Sequence, residues 1–358
     1  DVARDDVACD VAGDVDRVAA EAADDAGRDG RRRREHVERV VALEPVDLED
    51  LVWYLDEPLA DLSSLGFLAL SELAAQHVTV ALSGQGADEL LGGYRKHRAA
   101  AIVEMWNRVP RVGRRVGSRI AAHGPARVRR AARTLAAEDP VERLAAMSGR
   151  MTPSLRERLF TGALAARDGG EARRAIASRL NGVDAGPLAT TLFVDAQLAL
   201  VDDMLHYFDR ASMAHSLEVR VPFLDHELVE FCATIPPALK VRRLQTKAIL
   251  KDVARGVIPD RIIDKPKVGF FSGAVDGWFE SQAERAVGEY LLQPSPRYAD
   301  FLDKAEVRRL IEQHSAAPAD KDVQLLLSIL MLEIWLSSFI PRAVSGAETS
   351  RGTVAVMT

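Results

Sequence analysis

Apolar and polar positions alternate enough along Val37 to Leu43 to predict a strand. Leu48 to Leu55 spaces its apolar residues as a short amphipathic helix does, and Asp56-Glu57-Pro58 stops it. Ser63 to Gln76 predicts a second helix. Val78-Thr79-Val80-Ala81-Leu82 is a short, unbroken apolar run with β-branched residues, which predicts a buried strand. Ser83-Gly84-Gln85-Gly86 then reads as a turn. Ala87-Asp88-Glu89-Leu90-Leu91 opens a helix that Gly92-Gly93 ends or kinks. Tyr94 to Asn181 is mostly helical in pattern, and Asn181-Gly182 with Gly186-Pro187 marks a loop. Leu188 to Ile340 is again largely helical. Its longest apolar run, Val323 to Ile340, approaches the length of a membrane span, but Gln324 and Glu333 interrupt it; a helix in the domain core is expected.

The succession of helix, strand, loop and helix predicts an α/β fold, a parallel sheet flanked by helices with a large helical C-terminal portion. In such sheets ligands bind beyond the carboxyl ends of the strands, which is where Ser83 to Gly86 falls. A strand feeding a glycine turn into a helix start exposes backbone N–H groups to an anion. Asp88 and Glu89 oppose a phosphate there, unless a divalent cation lies between. Equally, they fit as acids that complement the helix dipole. From the residues alone both readings stand.

Composition removes several classes. The net charge is −6, and apolar residues make up 47% of 358, enough for a sizeable core. Nine arginines between Arg108 and Arg133 lack the aromatic partners and basic background of a nucleic-acid surface, so they read as a solvated helical face. Neither nucleic acid nor membrane is expected as a partner. Two cysteines, Cys9 and Cys232, give no disulfide framework and no metal spacing. No signal peptide is evident, and a cytoplasmic location is the expectation. Residues 1–35 use only Asp, Val, Ala, Arg, Cys, Gly and Glu. That stretch reads as anomalous, either a disordered segment or a GC-rich gene translated out of frame, and no function is read from it. The expected organisation is an ordered domain over 36–340 followed by a disordered tail over 341–358.

Four stretches resemble one family in the same order. LSGQGADELLGGY, from Leu82 to Tyr94, is similar to the second signature loop of the ATP-pyrophosphatase domain of asparagine synthetases. LVWYLDEPLAD, from Leu51 to Asp61, resembles the family's tryptophan–DEP segment beside the active-site cleft. LHYFDRASMAHSLEVRVPFLD, from Leu205 to Asp225, resembles the segment that lines the acceptor side. Its charged members, Asp209, Arg210, Glu218, Arg220 and Asp225, also fit an internal ion-pair network, for example Asp209 with Arg220. IPDRIIDKPKVGFF, from Ile258 to Phe271, carries Lys265-Pro266-Lys267-Val268-Gly269-Phe270, with Lys where the family more often has Arg.

The resemblance implies a fold of the adenine nucleotide alpha-hydrolase (HUP) type. It implies ATP and Mg2+, conversion of aspartate to asparagine through β-aspartyl-AMP, and ammonia from a glutaminase domain in the same or another chain. A homodimer is compatible with it. Ser83, Gly84 and Gly86 would hold ATP, Asp88 the metal, Lys267 the adenylation transition state, and Gln85 with Glu218 the acceptor side. A compact ammonium beside a crowded, negatively charged phosphorus is suited to that role.

Two departures qualify this. The family's first signature, SGGxDS, is expected before His36 and is not found there, and no glutaminase domain is present. The chain thus resembles the C-terminal part of a synthetase and is expected not to turn over ATP by itself; a catalytically inactive remnant is the rival reading. Gln85 stands where asparagine synthetases often have Glu. An amide cannot act as a general base, so a specialised amidotransferase acting on a natural-product or cell-envelope carboxylate is the alternative.

Overall fold

A computed structural model of the chain describes residues 48–61, 63–110, 112–114, 139–148, 151–167, 169–265, 285–316 and 320–345. Residues 1–47, Lys267 and most of the arginine-rich stretch lie outside these. The Leu48–Leu55 helix forms as its spacing predicts, with Leu51, Val52 and Leu55 at most 1% exposed. It ends at Leu55, and the next residue, Asp56, adopts a left-handed conformation at φ 63°. The carbonyls freed at that end find side-chain donors. His206 Nε2 donates to Leu55 O at 2.9 Å and Trp335 Nε1 to Asp56 O at 2.8 Å.

The Ser63–Ala75 helix packs against the His206–Met213 helix. Phe67 meets the edge of Phe208 at 4.4 Å between centroids. These elements share the largest core with the Asp320–Ile334 helix, through Leu326, Leu330, Met331 and Ile334. Val323–Ser345 is long and apolar enough to cross a membrane. Its first half is nevertheless core, as expected, and the helix runs on to Ser345. Glu333, the carboxylate interrupting its apolar run, is fully buried. It accepts from Tyr298 N at 2.7 Å, Arg297 N at 3.0 Å and Gln293 Nε2 at 2.8 Å. Three donors make that burial tolerable.

Helices dominate the described residues, and the sheet has two parallel strands, β1 (Val80–Leu82) and β2 (Glu218–Arg220). Val80 pairs with Glu218, Ala81 with Val219 and Leu82 with Arg220. Parallel pairing matches the sequence expectation; burial does not. Val80 is 40% and Leu82 74% exposed. Alternate side chains of a strand point to opposite faces, so Val80, Leu82, Glu218 and Arg220 all lie on the outer one. The charged members of the Leu205–Asp225 stretch are corrected likewise. Asp209, Arg210, Glu218, Arg220 and Asp225 are exposed. Arg220 pairs with Glu218 at 2.8 Å rather than with Asp209, because i and i+2 share a strand face.

Candidate functional site

The loop after β1 continues the ladder for one residue, since Ser83 N donates to Arg220 O at 2.9 Å. Gly84 is exposed, and nothing lies within 4 Å of where its Cβ would be. Gly86 has φ 89°, and a Cβ there would come within 2.2 Å of Leu224 Cδ2. Only glycine suits that position. The turn delivers a five-residue helix, Ala87–Leu91. Gly92, at φ 78°, closes it, and the N–H groups of Gly92 and Gly93 both donate to Asp88 O, at 2.9 and 2.8 Å.

Asp88 and Glu89 point to different environments. Asp88 is a fifth exposed, and its Oδ1 lies 2.9 Å from Lys247 Nζ. The pair sits over Gly93, where a Cβ would meet Asp88 Oδ1 at 1.5 Å and Lys247 Cε at 2.7 Å. Lys247 is presented by a strained connection: Arg243, Leu244 and Lys247 have φ of 49°, 65° and 51°. A tight bridge between Arg242 and Gln245 holds it. Three non-glycine residues in the left-handed region within five positions is costly, and such strain concentrates at functional sites.

Glu89 is 1% exposed and faces inward. Its Oε1 accepts from the hydroxyl of Tyr94, which also contacts Met204 Sδ at 3.4 Å. Burial first, and then the Glu89 carboxylate, push the Tyr94 phenol far above its usual range, so it stays a donor. Tyr94 N donates to Nδ1 of His97 at 3.2 Å. This fixes the ring tautomer: Nε2 carries the hydrogen and donates to Asp195 Oδ2 at 2.7 Å. Asp195 Oδ1 takes Lys96 Nζ at 2.7 Å. Asp195 opens a π-helical segment, Asp195–Leu205, that follows the Pro187–Val194 helix. Glu89, Tyr94, His97, Asp195 and Lys96 thus form a polar framework behind the loop.

The other predicted residues fall as follows. Gln85 is half-buried in the loop itself. Glu218 is on the strand beside β1, exposed and held by Arg220. Asp225 caps the His226–Thr234 helix, accepting from Glu227 N and Leu228 N. Asp56 of the tryptophan–DEP segment pairs with Arg210 at 2.9 Å, which ties that segment to the acceptor-side stretch. Lys267 lies outside the described residues. Lys247 was missed by sequence reasoning, because no motif marks it and its partner is remote in the chain. Glu89, Tyr94, His97 and Asp195 were not recognised as a network for the same reason.

Among the described residues no three His, Cys, Asp or Glu side chains cluster as a metal site. A magnesium ion that also takes phosphate oxygens needs only one or two protein carboxylates, and Asp88 beside the loop is one such donor.

The asparagine synthase family pattern matches residues 13–337, nearly the whole chain. The chain belongs to the asparagine synthase family. The match starts within residues 1–35, the stretch read above as anomalous. Asparagine synthetase [glutamine-hydrolyzing] 1 of Bacillus subtilis is 29% identical over 322 residues, which is 88% of this chain and 50% of that protein. The putative asparagine synthetase [glutamine-hydrolyzing] of Mycobacterium bovis is 27% identical over 86% of this chain and 47% of its own length. Amidase chry2 of Gibberella zeae is 25% identical over 71% of this chain and 41% of its own length. The chain spans about half the length of the curated synthetases it matches. Of the glycines between Leu82 and Tyr94, Gly86 and Gly92 take positive φ and Gly93 lies against the Asp88 and Lys247 side chains, whereas Gly84 faces open space.

Proposed function

We propose that the chain is the ATP-using half of an amide-forming ligase. One observation supports this most: a carboxylate, Asp88, and an ammonium, Lys247, lie 2.9 Å apart beside the glycine loop at the carboxyl end of β1. A carboxylate suits a metal and an ammonium suits a phosphate, and nucleotide chemistry needs both together. The sheet is read as that of an adenine nucleotide alpha-hydrolase.

In this reading a substrate carboxylate attacks the α-phosphorus of ATP and expels pyrophosphate. Ammonia then attacks the acyl-adenylate and expels AMP. The Ser83 hydroxyl and the backbone N–H groups of Gly84 and Gly86 hold the nucleotide. Asp88 would hold Mg2+, which when bound would neutralise phosphate charge. Lys267 stabilises the charge that grows on phosphorus. Gln85 and Glu218 orient the acceptor. Aspartate is the first candidate acid, with β-aspartyl-AMP as intermediate and glutamine-derived ammonia from a glutaminase domain. A cytoplasmic setting, with a homodimer as the assembly, completes the proposal.

Gln85 favours a second reading, a specialised amidotransferase for another carboxylate, and matches to proteins named amidases are consistent with it. Isotope exchange between pyrophosphate and ATP, run with magnesium and a panel of acids, separates the readings. Aspartate-dependent exchange supports the first, and exchange with another acid only supports the second. No exchange with any acid by the full-length protein would leave an inactive remnant. Where exchange occurs, Lys267→Ala should slow it by roughly a hundredfold or more.

A further inference from the structure

We infer that Lys247 is a latch on Asp88: it occupies the metal-binding carboxylate and makes metal entry conditional on an incoming polyphosphate. The inference rests on the reading of Asp88 and Lys247 as metal and phosphate groups. Three features carry it. First, the ammonium sits 2.9 Å from Asp88 Oδ1, with Asp88 and Lys247 side chains only 18% and 24% exposed. A divalent cation on the same carboxylate oxygen would face that ammonium at close range, and like charges repel strongly where water is partly excluded. Second, Gly93 lets the pair lie flat on the backbone; a Cβ there would strike both side chains. Third, Lys247 is held in a left-handed conformation at φ 51°, in a connection with two further left-handed residues. That backbone presents the side chain to Asp88.

A polyphosphate resolves the conflict. Its oxygens offer the ammonium a replacement partner, and the metal then takes the released carboxylate. Metal and nucleotide therefore enter together, and free metal is kept out.

The test uses Mn2+ alone, with free Mn2+ followed by its electron paramagnetic resonance signal. Lys247→Asn removes the charge and keeps a residue that tolerates positive φ. Wild type should bind Mn2+ weakly, and Lys247→Asn at least tenfold more tightly. Adding Asp88→Asn to that variant should abolish the gain. Equal binding by wild type and Lys247→Asn, including none by both, overturns the latch, as does a gain that survives loss of Asp88. A second arm does not depend on that variant folding. Asp88→Asn alone frees Lys247 and should raise the affinity for inorganic pyrophosphate severalfold in metal-free buffer; unchanged affinity also overturns the latch. These readouts need no turnover. A Mn2+ gain without pyrophosphate–ATP exchange keeps the latch and rejects the ligase reading, and exchange without the gain does the reverse.

Discussion

The phenolic hydroxyl of Tyr94 donates to Oε1 of Glu89, a carboxylate with 1% of its surface exposed. Asp88, its chain neighbour, faces the loop, so the orientation of this short helix decides which acid reaches the site. Among the described residues Glu89 Oε2 has no hydrogen-bond partner, which leaves the Tyr94 hydroxyl as the donor to this group there. Tyr94→Phe strands the carboxylate and should cost roughly 1–3 kcal/mol. Urea unfolding measures it; a loss within error of zero would show that Glu89 has another source of compensation.

Two glycines of the signature loop should fail in different ways. Gly86→Ala meets Leu224 and a φ of 89°, so it should lose roughly 2–4 kcal/mol from strain and overpacking. Gly93→Ala collides with the Asp88 and Lys247 side chains, whose ends can move. It should lose only about 1 kcal/mol while abolishing any nucleotide-dependent metal binding. Thermal unfolding paired with Mn2+ titration in the presence of ATP distinguishes them. Equal stability losses would contradict the packing described here.

Glu333 carries a pH signature. Burial pushes its carboxyl above the ordinary value of 4.5, against hydrogen bonds from Tyr298, Arg297 and Gln293 that favour the charged form. A raised folded value means the native state binds the proton more tightly than the unfolded chain. The stabilisation is therefore complete below the unfolded value and is lost as pH rises through the folded one. Glu333→Gln cannot titrate and turns one amide N–H towards the backbone donors. It should be less stable than wild type by about 1–2 kcal/mol near pH 4.5, with the gap narrowing as pH rises. A gap that widens with pH would reverse the assigned direction.

Gln85→Glu introduces a titratable group into the loop. In an active full-length protein it should leave adenylation near wild type and shift the pH profile of the amination step. Superimposable profiles would exclude this side chain from proton transfer.

Much of the chain was legible without coordinates because its signals are local. Apolar spacing and the residues after it marked the Leu48–Leu55 helix, and the stretch from Ser63 was read as a helix leading to the strand. Glycine's freedom at positive φ announced the end of the Ala87–Leu91 helix at Gly92. The run from Leu82 to Tyr94 was long enough to indicate the family. Each of these depends on residues a few positions apart, so sequence order is nearly spatial order. Charge partners are different. Only the tertiary structure decided that Asp88 meets Lys247, that Asp56 meets Arg210, and that Asp195 bridges Lys96 and His97. The exposure of Val80 and Leu82 was likewise hidden, since an apolar run shows that a strand could be covered and not whether a neighbour covers it. An ion pair or a buried face belongs to two segments at once, and the chain brings those segments together only when it folds.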